Sequence, residues 1–376
     1  MKRFIIVVNL FLIIGCNDPF VTEFGDREDA IMLTASNIPP DSVFAYDGGE
    51  FKVVTWNIRF GIARFEFFAD ACGDKVILDE ASILLAMSAV ADTLIAMDPD
   101  IVLLQEVDLS SKRTGYLDQI QYLLDNTNLN YGCYASMWKA DYIPSDGIGR
   151  VDAGNAILSK YPLTDAERIQ LRLRTDQDDL VQYFYLRRNI LKAKVPALAQ
   201  SGKDLYAVNV HATAFATDDT KEQHINQYVE ALSDIHLGQN LFVTGGDLNS
   251  IPPGSITDFC VIDKCEGDDF HMDGADPFHK EGSYFENFPG EPDILLPLYN
   301  VYSPAIDTAS YNLPEHFTHA PSTSMLNDST FTKYDRKLDY LFTNGGWVPG
   351  SGHTHQAAWE LSDHMPVSAS FMPESE

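Results

Sequence analysis

At 376 residues, 45% of them apolar, the chain is long enough and oily enough to bury one large core or two ordinary ones, which excludes a disordered polymer. Its 55 acidic residues against 26 Lys and Arg give a formal charge of −29, which disfavours duplex nucleic acid unless a local basic strip or bound cations intervene, and which suits divalent metals. No Cys-x-x-Cys pair, Gly-x-Ser-x-Gly elbow or Walker loop occurs, so a thiolate zinc site, a serine-hydrolase elbow and a P-loop are excluded.

Met1-Lys2-Arg3 precedes an apolar run from Phe4 to Ile14, the charged front and short greasy middle of an export signal. The run is too short to span a bilayer permanently. It ends in Ile13-Ile14-Gly15-Cys16, which resembles the bacterial lipoprotein signal. That resemblance implies removal of residues 1–15, lipidation of Cys16, and an exported protein anchored to a membrane of the cell envelope. Residues 16–49 are polar, acidic and broken by Pro19, Pro39 and Pro40, and read as a tether, with the folded domain expected over 50–373. Four further cysteines, Cys72, Cys133, Cys260 and Cys265, permit two disulfides in an exported chain, Cys260 with Cys265 closing the smallest loop; free thiols are the alternative.

Phe51 to Ile58 is rich in β-branched and aromatic residues and reads as a buried strand with Asn57 near its end. Glu80 to Met97 carries Ile83, Leu84, Met87, Val90, Leu94 and Ile95 at helical spacing and stops before Pro99. Asp100 to Val107 is a second buried strand ending in Gln105 and Glu106, and a carboxylate there must be hydrated, paired or bound to metal. Asp118 to Asp125 reads as a helix, and Tyr131 to Trp138 and Gly154 to Ser159 as strands. From Asp165 to Val195 charged and apolar residues alternate, predicting a half-exposed antiparallel hairpin with its arginines on the wet face, or in contact with substrate.

Leu205 to His211 is another buried strand with a polar exit, and Asp218 to Leu237 a helix. In Phe242 to Ser250 apolar residues lead into Gly245 and Gly246, which let the backbone turn, and Asp247 and Asn249 then point the same way. Taken alone, that stretch is also an ordinary turn. Ser255 to Lys333 is irregular and reads as loops and short elements. Lys337 to Phe342 restores a strand containing Asp339, and Leu361 to Val367, with Asp363 and His364, runs into the last strand.

Strand ends therefore carry Asn57, Glu106, His211, Asp247 with Asn249, Asp339, and Asp363 with His364, a set of hard oxygen donors, amides and imidazoles suited to metal-assisted phosphate chemistry. The motifs Thr55-Trp56-Asn57-Ile58-Arg59, Leu104-Gln105-Glu106-Val107-Asp108, Gly154-Asn155-Ala156-Ile157-Leu158-Ser159, Asn209-Val210-His211, Gly246-Asp247-Leu248-Asn249, Leu338-Asp339-Tyr340 and Ser362-Asp363-His364 resemble, in order, those of the endonuclease/exonuclease/phosphatase superfamily. That superfamily includes deoxyribonucleases, abasic-site nucleases, sphingomyelinases and inositol polyphosphate phosphatases.

The resemblance implies an α+β, four-layer α/β/β/α sandwich of two packed mixed sheets with the site where the motif strands converge. It implies Mg²⁺, with Mn²⁺ as the alternative, held by Glu106 with Asn57 beside it and by Asp363 as a further metal or water-linked acid. Asp247 and Asn249 would orient and deprotonate the attacking water. His364 would face the phosphate with Asp339 holding its ring, and His211 would contact the phosphate or protonate the leaving oxygen; the division between acid and base stays open. Some nucleases of the family place an aromatic residue where Val151-Asp152-Ala153 stands here, which leaves Asp152 either a metal-side acid or a loop aspartate. The arginine of Arg113 to Gln119 binds substrate or makes a structural pair. His316, His319, His353 and His355 are expected not to be ligands. The expected function is a monomeric, membrane-anchored metal-dependent phosphoric ester hydrolase acting on a lipid headgroup or small organophosphate. An exported nuclease and a non-catalytic binding lipoprotein are the competing readings.

Overall fold

Phe51 and Val53 face one way and Val54 and Trp56 the other, and all four are buried, so this strand must be covered on both sides. The computed structural model describes residues 18–38, 46–65, 67, 75–214, 216–255, 290–321 and 333–372. Its strands and helices in the first half are β1 (Arg27–Asp29), β2 (Ile31–Thr34), β3 (Phe51–Asn57), α1 (Glu80–Met97), β4 (Ile101–Asp108), α2 (Gln119–Asn126), β5 (Tyr131–Ile143), β6 (Gly149–Ser159), β7 (Thr164–Gln170), α3 (Asp179–Phe184) and β8 (Asn189–Lys194). The second half contributes β9 (Leu205–His211), α4 (Thr220–Leu237), β10 (Leu241–Asp247), α5 (Leu296–Val301), β11 (Ser303–Pro304), β12 (Asp339–Thr343), β13 (Gly346–Trp347), β14 (His353–Thr354) and β15 (Val367–Met372).

One mixed sheet runs β1-β7-β8-β9-β10-β12-β11 and the other β13-β15-β3-β4-β6-β5-β2, with β14 on β15. The inner faces meet in a core that includes Phe51, Leu103, Ile157, Leu191, Ala207, Val243 and Phe371. Outside one sheet Trp56, Val102 and Leu104 pack on Met87 and Val90 of α1 and Ile120 of α2, and outside the other Val210 and Phe342 pack on Tyr228 of α4 and Leu298 of α5. This is the expected four-layer sandwich.

Helix α1 has the bounds its sequence predicts. Asp79 accepts from Ser82 N at 2.9 Å, and Asp98 at φ 46° ends the helix in the left-handed region just before Pro99. The two glycines before Asp247 do not turn the chain. Both lie inside β10, where a Cβ on Gly245 would come within 2.2 Å of Tyr340 O and one on Gly246, at φ 144°, within 1.8 Å of Val210 O. They let β9 and β12 close on β10.

Three expectations need correction. Within the stretch expected to be a tether, β1 pairs with β7 and β2 with β5, and only Ala30 separates them, so one strap edges both sheets. In the expected hairpin β7 does pair with β8, but α3 interrupts the connection. Arg168, Arg187 and Arg188 are buried rather than on a wet face. Arg168 stacks 4.0 Å over Phe24 and donates to Ser136 O and Arg187 O, and Arg187 binds Glu23 at 2.6 Å. Cys133 is a buried free thiol, pushed up to about 12 by burial, which removes it from any disulfide; Cys16, Cys72, Cys260 and Cys265 lie outside the described residues. The segment expected to hold loops and short elements does so among its described residues, with the six-residue α5 and the two-residue β11.

Two buried cations behave in opposite ways. Arg113 makes a bidentate pair with Asp108 at 2.9 and 2.7 Å and lies 3.6 Å over the Phe60 ring, so it is a structural residue. Lys337 is 2% exposed, and among the described residues its Nζ has no hydrogen-bond partner; the Tyr340 ring lies 5.0 Å away. Burial pushes its ammonium down to about 8, with Asp339 opposing. Because the unfolded chain binds that proton more tightly, the penalty is present in full below about pH 8 and disappears as pH rises through the unfolded value of about 10.4. Lys337→Met is expected to raise stability at pH 7 by up to about 3 kcal/mol, with the gain shrinking above about pH 8 and small at about pH 10. Urea denaturation at both pH values checks this; equal gains at the two would refute it.

Candidate active site

Register brings the site together. In β10 Asp247 stands opposite His211 of the parallel β9 and Asp339 of the antiparallel β12, so three strands deliver an imidazole and two carboxylates to one row. On the facing sheet Asn57 ends β3, and Glu106 lies where the β4–β6 register shifts between Leu104 and Val107. Glu106 adopts φ 54°, a costly conformation for a side chain of its size, which breaks the strand's alternation. The strand end beyond it is fixed by buried Asp108, held by Arg113, Ser111 Oγ at 2.8 Å and Thr114 Oγ1 at 2.8 Å. Behind the site a polar layer ties the sheets: Gln105 Nε2 donates to Asn209 Oδ1 at 2.6 Å, and Asn209 Nδ2 to Leu104 O at 2.7 Å.

The residues singled out from the sequence form a connected cluster. Asp247 Oδ1 accepts from Asn249 N at 2.9 Å and Oδ2 from Asn57 Nδ2 at 3.2 Å, while His211 Nε2 lies 3.3 Å and His364 Nε2 3.7 Å from Oδ2. His211 Nε2 is also 3.9 Å from Glu106 Oε1, and His364 Nδ1 is 2.8 Å from Asp339 Oδ2. Asn249 Nδ2 donates to Ala212 O at 3.1 Å. Asp363, next to His364, is partly open to solvent and lies 3.8 Å from Arg59 Nε. His364 is positioned by its own turn: Ser362 Oγ donates to Asn57 O at 2.7 Å and accepts from His364 N, while Trp56 Nε1 donates to His364 O at 2.9 Å. Ser362 is therefore a turn residue.

Burial disfavours a charged His364, but Asp339 and Asp247 outweigh it and hold the imidazolium well above histidine's usual range. Burial likewise opposes ionisation of Asp247, but the His364 and His211 rings hold its carboxyl well below the usual range. His211, pushed down to about 4 by burial and by Arg188, is neutral at pH 7. Against the pull of burial, His364, Arg59 and Arg64 bring Asp363 down to about 2.

Glu106 is pushed up to about 7 by burial and by the Asp363 carboxylate, offset only in part by His364 and Arg188. A carboxyl raised by a neighbouring carboxylate, in a set of acid and amide oxygens, fits a divalent cation. Asp247, Asp339 and His364 also place ligand atoms within 4.8 Å of one another. There, however, the proton between Asp339 and His364 already supplies the positive charge, so the Glu106 side is the better seat for a metal.

Other side chains fall where the sequence left choices open. Asp152 is buried and accepts from Tyr134 Oη at 2.8 Å and Ser136 Oγ at 2.7 Å, a structural role in β6. Two further residues stand at the site. Arg188, expected on a wet face or in contact with substrate, donates to His211 O at 3.4 Å and acts on both Glu106 and His211. His319 packs edge-on to His364 with ring centres 5.6 Å apart and pairs with buried Asp335 at 2.7 Å. No sequence signal separates it from the loop histidines, because its partner lies 16 residues away across the residues between.

Two mixed sheets whose strand ends converge on carboxylates, amides and imidazoles define a class of phosphoester-cleaving sandwich proteins. The chain belongs to the endonuclease/exonuclease/phosphatase family, whose sequence profile matches residues 54–364. Members of this family are generally metal-dependent phosphoester hydrolases. Among solved structures it is similar to an endonuclease/exonuclease/phosphatase from Beutenbergia cavernae DSM 12333, at 15% identity and TM-score 0.57, covering 87% of this chain and 72% of that one. It is similar too to a functionally unknown conserved protein from Enterococcus faecalis V583, at 15% identity and TM-score 0.50, covering 86% and 100%. TDP2 from C. elegans aligns at 19% identity and TM-score 0.46 over 86% and 75%. No curated protein matches the chain by sequence.

Proposed function

We propose that this protein is a Mg²⁺-dependent hydrolase of phosphodiesters or phosphomonoesters, acting as a monomer on a lipid headgroup or small organophosphate from a membrane anchor at Cys16. The observation that carries the chemistry is the Asp339–His364–Asp247 chain, a buried imidazolium between two carboxylates beside a separate acid and amide set. In this reading Glu106, Asn57 and Asp363 hold the cation, which when bound would polarise a phosphoryl oxygen. Asp247 and Asn249 orient the attacking water, and Asp247 takes its proton as the new P–O bond forms and the P–O bond to the leaving group breaks; the leaving oxygen departs with the bonding pair and takes a proton from solvent. His364 meets the charge growing on the phosphoryl oxygens, with Asp339 fixing its ring. Neutral His211 keeps its Nε2 directed between Asp247 and Glu106 and contacts the phosphate.

Against the nuclease reading stands the use of the basic residues. Of the hairpin arginines, Arg168 and Arg187 are spent inside the fold, Arg174 is paired with Asp176, and Arg188 reaches the His211 strand end. Hydrolysis of bis(p-nitrophenyl) phosphate with and without EDTA tests the metal-dependent chemistry. We expect a loss of at least about 100-fold on chelation and recovery with Mg²⁺ or Mn²⁺; a rate indifferent to EDTA would refute it. A panel of sphingomyelin, inositol phosphates and single- and double-stranded DNA then tests the substrate class.

A further inference from the structure

The segment expected to be a free tether is docked from its first described residue. Asp18 accepts from Tyr183 Oη, Pro19 O from Tyr142 N at 2.9 Å, and Lys139 O from Thr22 N at 2.9 Å. The Phe20 ring stands edge-on to Phe184 with centres 6.5 Å apart. Around this point four large apolar side chains face solvent: Phe20 at 39% exposure, Tyr142 at 55%, Leu180 at 69% and Val181 at 48%. Leu180 and Val181 lie on α3, four and three residues before Phe184, so they share its side of the helix.

Only Asn17 separates Cys16 from Asp18, so the two are at most two chain steps apart, roughly 7 Å at full extension. A lipid chain on Cys16 would therefore hold this edge of the sandwich at the headgroup layer, with no tether to lift it away. We propose that the face formed by Phe20, Tyr142, Leu180 and Val181 lies against the lipid bilayer. This rests on the reading of Cys16 as lipidated. Asp18, which accepts from Tyr183, and Asp178 and Asp179 at the start of α3 stand next in the chain to these residues, so charge opposes adsorption to anionic lipid from free solution, and it is the anchor that seats the face. Amphipathic Tyr142 and the Phe20 ring then sit at headgroup depth. The same face leads to the site: after α3, Tyr185 Oη accepts from Arg174 at 3.2 Å, Arg174 also donates to Ala214 O, and Arg188 reaches His211 O. A phosphoester held in the bilayer surface is thus presented on the side of the molecule where the strand ends converge.

The test is hydrogen exchange on the full-length chain, processed in a bacterial envelope and reconstituted into vesicles of phosphatidylethanolamine and phosphatidylglycerol, against the unlipidated Cys16→Ser chain. Expected are flotation of the first with the vesicles, no flotation of the second, and severalfold slower exchange in residues 19–24, 140–143 and 180–184 of the vesicle-bound form. The double variant Leu180→Asp, Val181→Asp should still float but lose the slowing in 180–184. Failure of the wild-type chain to float overturns the anchor and this face with it. Flotation without slowing, or slowing untouched by the double variant, overturns the face alone.

Discussion

His364→Ala is expected to lower kcat on bis(p-nitrophenyl) phosphate by about 10²- to 10⁴-fold with little change in fold, since in the proposed mechanism it removes a positive group that meets the developing charge. The expectation follows from how the ring is held. Its Nδ1 is 2.8 Å from Asp339, its Nε2 is 3.7 Å from Asp247, and the two carboxylates keep it charged against the pull of burial. Asp339→Asn separates holding the ring from merely filling space. With the carboxylate gone, the His364 pKa falls toward its ordinary value of about 6.5, so the alkaline fall in kcat should move to lower pH while the acid side stays put. An unshifted profile in Asp339→Asn, or wild-type turnover in His364→Ala, contradicts the role assigned to the dyad.

Asp247→Asn should cost at least about 10³-fold in kcat. Asp247 receives Asn249 N, Asn57 Nδ2 and His211 Nε2, and an amide in its place would set a donor against donors. Leaving such buried groups unpaired should also lower stability by about 1–3 kcal/mol, visible in a denaturant melt. The two effects can be told apart, since activity measured well below the melting transition reports chemistry alone. If turnover survives there while stability drops, Asp247 is a scaffold residue and the attacking water is oriented by something else.

Much of this arrangement could be read from the chain. Strands covered on both faces are written as continuous apolar runs, and a polar residue at the end of such a run has few reasons to be there, which is how Asn57, Glu106, His211, Asp247 and Asp339 stood out. Helix α1 was legible because its cap, its apolar spacing and Pro99 agree. What could not be read depends on partners far away in sequence. The alternation in β7 predicts an exposed face, yet Arg168 finds Phe24 and the Ser136 carbonyl over it, and neither contact has a local signature. Strand β1 is wholly charged, and β2, though apolar, is short and largely exposed, so little but their pairing marks them. The bend that puts Glu106 at φ 54° is a property of the β4–β6 ladder rather than of the residues within it.

The strap formed by β1 and β2 also bears on how the chain matures. A ribosome delivers Arg27 and Ile31 first, but their register partners, Ile169 and Tyr134, come more than a hundred residues later, so the earliest strands made must wait for theirs. Until then β5 and β7 each present an open rim to any neighbouring polypeptide, and these newborn edges are where two incomplete copies would stick together.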